Sequence, residues 1–150
     1  MTSARELVAP DLFNRLAERV MKDEGHDRDH SERIVDQALV FLKACADNPG
    51  AALGPSTAVD AGWHAFLLHT RDYASFCARV AGRFIHHEPT DGDSSRAGTL
   101  HRTITAVRAT GYEVDESMWA LAAVADCADE GNCSASGKDG DENKDTRIPK

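Results

Sequence analysis

Apolar side chains recur at helical spacing along most of this chain, and each run ends on a strong stop. Leu12, Phe13, Leu16, Val20 and Met21 form one stripe, opened by Pro10 and Asp11 and closed by Gly25. Ile34, Val35, Ala38, Leu39, Phe41, Leu42 and Cys45 form a second, wide enough for a central helix, before the stop Asp47-Asn48-Pro49-Gly50. Tyr73, Phe76, Cys77 and Val80 fall at i, i+3, i+4 and i+7 and precede Gly82. Leu100, Ile104 and Val107 face inward before Gly111, and Asp115 caps a run with Met118, Trp119, Ala122 and Val124. Strand-like alternation is confined to 83–87 and 112–114. The spacing predicts an all-α fold: a compact bundle of about six helices over residues 10–127.

Beyond Cys127 the composition changes. In residues 128–150 only Cys133 and Ile148 are sizeable apolar groups. Such a segment cannot offset the entropy of ordering, so a disordered acidic tail is expected there, and a flexible N-terminus over 1–9. The net charge of -8 excludes nucleic acid as a default partner, because phosphate binding needs a basic face, and argues against a polybasic membrane contact. No apolar run approaches the roughly 18 residues of a membrane span. The N-terminus lacks the apolar core of a signal peptide, since Arg5, Glu6 and Asp11 interrupt it. A cytoplasmic protein with reduced cysteines is the expectation.

The chemistry concentrates between Val59 and Pro89, which holds four of the seven histidines. This stretch reads as a helix over about 58–69, a break at Thr70, a second helix to Gly82 and an extended exit through His86 and His87. Asp60 and His64 are four apart and share a helix face, either as a metal-ligand pair or with the carboxylate orienting the imidazole. His69, five from His64, points elsewhere. His86 and His87 are adjacent, so in an extended segment they face opposite sides, and one of them can return to His64. Phe84 and Ile85 are placed to anchor that return. Two or three histidines with one carboxylate suit a divalent transition metal: zinc, iron or copper. The candidate metal ligands are therefore Asp60, His64, His86 and His87, with Trp63, Tyr73, Cys77 and His30 as further site residues. The bland reading fits the same residues: a hydrogen-bonded structural His64, a core Cys77, and His26 and His30 at a solvated helix start. Cys127 and Cys133 have no specific ligand spacing.

Val59-Asp60, Trp63-His64, Leu67-Leu68, Thr70, Tyr73, Phe76-Cys77, Phe84 and His86-His87-x-Pro89 together resemble an uncharacterised bacterial family described as glycine-rich-domain-like, distantly similar to plant glycine-rich domain proteins. A weaker echo lies in Gly111-Tyr112, Asp115 and Trp119. The resemblance implies no reaction. It implies that Asp60, Trp63, His64, Cys77, His86 and His87 act together. The glycine-rich tail of the label is missing here.

Three functions compete. The first is a small metal-binding helical protein, with or without catalysis. The second is a non-catalytic module for a protein partner, its histidine cluster structural. The third is an accessory protein with a processed tail. No GxSxG, P-loop, GxGxxG or HExxH is present. A Cys77 hydrolase is disfavoured, because a thiol in a helix middle lacks the electropositive, accessible setting that lowers its pKa. A small-molecule substrate, if there is one, is not specified.

Overall fold

A computed structural model describes residues 2–87 and 96–119. Within them are five α-helices: α1 (Pro10–Glu24), α2 (Arg28–Asp47), α3 (Thr57–Leu68), α4 (Thr70–Val80) and α5 (Arg96–Ala109). Two 3-10 turns flank them, Ala4–Leu7 and Glu116–Trp119. The all-helical class stands, while the sixth helix does not appear among the described residues: Asp115 opens a 3-10 turn there, with its Oδ1 accepting from the Ser117 backbone at 3.1 Å. The 83–87 exit is irregular backbone, and no strand forms at it or at 112–114. One isolated parallel bridge, Thr2 to Tyr112, stands at the second place. Pro89, the 90–95 loop, residues 120–127 of the expected sixth helix (Cys127 among them), and the 128–150 tail with Cys133 lie outside the described residues.

The stops act as their chemistry dictates. Gly25, Gly82 and Gly111 take φ of 77°, 72° and 87°, where a side chain is strained. Helix α2 starts two residues before the expected His30, because Asp27 accepts from the His30 backbone at 2.8 Å and recruits Arg28 and Asp29 into the first turn. Ser56 caps α3. Thr70 is the first residue of α4 rather than its cap. His69 holds that position without a side-chain bond.

Helix α2 is the core element and packs on α1, α3, α5 and both 3-10 turns. Its buried set includes Ile34, Leu39, Val40, Phe41 and Leu42, all 0% exposed. The α2–α3 crossing is tight at Gly62, where an added Cβ would meet the Ala38 Cβ at 2.9 Å and the Ile34 carbonyl at 3.0 Å. The N-terminal turn packs on the helices: Ala4 is buried, and Ser3 Oγ donates to Asp36 at 2.6 Å. At the other end Arg33 binds Asp115 at 2.8 Å and Ser117 at 2.9 Å. Burial pulls the Asp115 carboxyl upward, but the Arg33 and Ser117 hydrogen bonds outweigh it and hold it below the usual carboxylate range.

Candidate metal centre

Asp60 and His64 sit one turn apart on α3, and Trp63 between them turns inward. Trp63 is 5% exposed, lies against Phe41 and donates its indole N–H to Tyr73 Oη at 2.9 Å. Tyr73 Oη in turn donates to the backbone carbonyl of Ile85. Burial, with Cys77 alongside, pushes the phenol pKa well above its ordinary value, so Tyr73 remains a neutral donor. The Ile85 backbone N–H points to Cys77 Sγ at 3.5 Å, and its side chain is buried. This chain of contacts pins the exit segment onto the α3–α4 hairpin. Phe84 contributes less than expected: its ring packs edge-on to Tyr73, but the residue is 45% exposed.

Two residues beyond the pin, the His87 ring lies 4.3 Å from the Trp63 ring, centroid to centroid. Its Nε2 stands 2.7 Å from Asp60 Oδ1 and 3.0 Å from His64 Nε2. Asp60 Oδ2 is 3.3 Å from the same His64 nitrogen. The three ligand-type atoms of Asp60, His64 and His87 all lie within 4.8 Å of one another. His87 is the half-buried member and His64 the exposed one, with a side chain 58% accessible.

The other sequence candidates sit elsewhere. His86 turns away from the cluster and packs on Phe84, because adjacent side chains of an extended segment diverge. His30 stacks on His26 at the start of α2, 4.2 Å between rings. Cys77 is fully buried on α4, and its visible partner is the Ile85 amide. His69 bonds back to the Ala65 carbonyl. Trp63, Tyr73 and Cys77 thus hold the cluster from behind without entering it.

The cluster opens onto a groove of about 890 Å³ between the 50–55 loop, the start of α3, the exit segment and α5. Arg83 and Arg102 line it, and neither was singled out by spacing. They lie far from Asp60 in sequence, and isolated arginines carry no motif. Cys45 lines it too. Burial pushes its thiol pKa up to about 12, against the opposing pull of the Arg83 charge. Cys45 is therefore a neutral, poorly nucleophilic thiol. Peptide mapping after iodoacetamide treatment at pH 8 is expected to show Cys45 largely unmodified in the native protein and fully modified in guanidinium chloride. Rapid native labelling would contradict the burial that sets this pKa.

One family model matches residues 5–104, from the first 3-10 turn to the middle of α5. The chain belongs to the UCP032817-like family. That match corrects the glycine-rich-domain resemblance, since no glycine-rich-domain family matches. The reason is visible in the fold: Trp63, Tyr73, Phe76 and Cys77, which carried much of the resemblance, are core residues of a helical hairpin. Short pieces of that kind report packing rather than descent. The matched region contains all three residues of the Asp60–His64–His87 cluster and both groove arginines. No curated protein and no solved structure matches the chain.

Proposed function

We propose that this UCP032817-like protein binds one divalent transition metal, zinc or iron before copper, through Asp60, His64 and His87. The observation that supports this is the close approach of the ligand-type groups: His87 Nε2 lies 2.7 Å from Asp60 Oδ1 and 3.0 Å from His64 Nε2, and the other carboxylate oxygen, Asp60 Oδ2, lies 3.3 Å from His64 Nε2. Ligands bonded to zinc at about 2.0–2.1 Å in a tetrahedron stand about 3.3–3.4 Å apart, so a small outward adjustment seats an ion. The donor types agree: imidazole and carboxylate suit zinc, and two histidines with one carboxylate also suit non-haem iron. Two imidazole nitrogens 3.0 Å apart beside a carboxylate need a cation or shared protons between them, since bare lone pairs repel. Three protein ligands leave a position open toward the groove, as in metal sites that act on a substrate. The metal there would act as a Lewis acid or activate a bound water. Among the described residues no helix is long and apolar enough to cross a membrane.

A second reading has its own support. The His87 Nε2 to Asp60 Oδ1 distance of 2.7 Å is an ordinary charge-assisted hydrogen bond, and it can close a structural cluster in a module that binds a protein partner.

The deciding experiment is zinc titration of untagged, metal-stripped protein, with elemental analysis and thermal unfolding in zinc and in chelator. About one ion per chain is expected, together with a higher unfolding midpoint in zinc, because a ligand that binds only the folded state stabilises it. His87→Ala and Asp60→Ala are each expected to weaken zinc binding by more than about 100-fold, beyond the 10–100-fold typical of losing an outer hydrogen-bonding partner. A wild type that holds less than about a tenth of an ion per chain and ignores chelator would support the structural module instead.

A further inference from the structure

We infer that the groove beside this cluster takes a small organic oxyanion, a carboxylate or a phosphate ester, with its charged end on Arg83 and Arg102. The inference rests on the metal reading for the other end of the ligand, and on the arginines alone for the anion.

Both arginines are held in place by backbone. Arg83 Nη2 donates to the Cys45 carbonyl at 2.7 Å. Arg102 Nη2 donates to the Ala52 carbonyl at 3.1 Å and to Thr99 Oγ1 at 3.3 Å. A guanidinium carries five N–H donors in a rigid fork, so these bonds orient each group and leave donors for a ligand. Carbonyls satisfy hydrogen bonding without cancelling charge. Most other arginines are neutralised: Arg5, Arg15, Arg19, Arg28, Arg33 and Arg108 pair with carboxylates, while Arg79 bonds the Leu7 carbonyl but does not line this groove. Neither groove arginine has a carboxylate partner among the described residues.

The charge balance points the same way. A chain with a net charge of -8 places Arg83, Arg102 and one carboxylate, Asp60, among the described walls of a single groove. A divalent ion on the cluster would make that groove more positive still. Planar forks of this kind recognise carboxylate and phosphate oxygens in pairs. The volume of about 890 Å³ lies in the range of small-molecule sites, about 300–1,000 Å³.

The test is calorimetric titration of the full-length chain with phenyl phosphate and with glutarate, in zinc and in chelator. Benzyl alcohol serves as the uncharged control. Wild type, Arg83→Gln, Arg102→Gln and the double variant are compared, with zinc stoichiometry and circular dichroism measured on each. One anion is expected to bind at one site, and each single variant to weaken it about tenfold or more, the loss of a charge-assisted contact. Zinc stoichiometry and helix content should not change. Response to phenyl phosphate alone assigns a phosphate ester, and response to glutarate alone a carboxylate. Arginine-dependent anion binding without any zinc uptake supports the anion site and removes the metal reading. Zinc uptake with no anion binding, or with binding that ignores both arginines, overturns the anion site and leaves the metal reading standing. Failure of both overturns both. A variant that loses helix content is replaced by its lysine counterpart, which keeps the charge and should retain part of the binding.

Discussion

Replacing Trp119 by alanine is expected to destabilise the protein by about 3–5 kcal/mol, the range for removing a large buried aromatic. Trp119 is fully buried, 0% exposed, and packs near Phe41 on the central helix. Its indole N–H donates to Gln37 Oε1 at 2.9 Å. The Gln37 amide nitrogen is committed to the Glu113 carbonyl and to Asp36 Oδ2, each at 3.0 Å. Alanine therefore opens a cavity and also strands a buried acceptor. Trp119→Phe separates the two effects. It refills most of the space and leaves Gln37 Oε1 unpaired, at a cost of about 1–3 kcal/mol. Urea unfolding of the three proteins measures the difference. A Trp119→Ala loss below about 1 kcal/mol, the scale of an exposed substitution, would mean that the 3-10 turn does not dock on α2 in solution.

Tyr73→Phe should lower stability and loosen the Asp60–His64–His87 cluster, the proposed metal site, together. Tyr73 is 1% exposed, and its hydroxyl joins the Trp63 indole to the Ile85 carbonyl. Without it a buried donor and a buried acceptor lose their partner, at about 1–3 kcal/mol for each such group. The local consequence is specific. Ile85 is the pin of the exit segment, and His87 is two residues beyond it. With the pin gone, His87 has more freedom to leave Asp60 and His64, and zinc affinity should fall about 10–100-fold, as it does when an outer supporting partner is lost. Thermal unfolding and zinc titration on the same samples test both halves. Unchanged zinc affinity beside a large stability loss would show that the Tyr73–Ile85 contact does not position His87.

The same residue sets an alkaline limit. Because the phenol pKa is raised in the folded state, its contribution is fully present below the unfolded value of about 10 and is lost as pH rises past it.

The hairpin around Tyr73 was partly legible in advance. Tyr73, Phe76 and Cys77 share a period, and the period alone sends them inward. What each does there was not legible. The Tyr73 hydroxyl depends on an indole ten residues earlier and a carbonyl twelve residues later, and neither offset belongs to a helix or a strand. The described start of the expected sixth helix, residues 116–119, departs from its pattern for a related reason. Its early apolar residues, Met118 and Trp119, look helical by spacing, but both dock on neighbouring elements from a 3-10 turn. Tertiary burial overrode local propensity there.

The resemblance to a glycine-rich-domain family failed, and several of its pieces, Val59, Trp63, Tyr73, Phe76 and Cys77, are core positions of a helical hairpin. Composition and periodicity by themselves settled the all-helical class, the positions of Gly25, Gly82 and Gly111 as helix ends, and the pairing of Asp60 with His64. These depend on interactions within about one helical turn, and spacing records them directly. Only the tertiary structure decided that His87 and not His86 meets that pair, that Gly62 lets α2 and α3 approach, and that Arg83 and Arg102 share a groove with the cluster. Those outcomes depend on contacts well beyond one helical turn: Tyr73 pins Ile85 across 12 positions, His64 meets His87 across 23, and Arg83 reaches Cys45 across 38. No local period encodes separations of that size. They are fixed when the apolar faces of separate helices are buried against one another and the chain between them must follow.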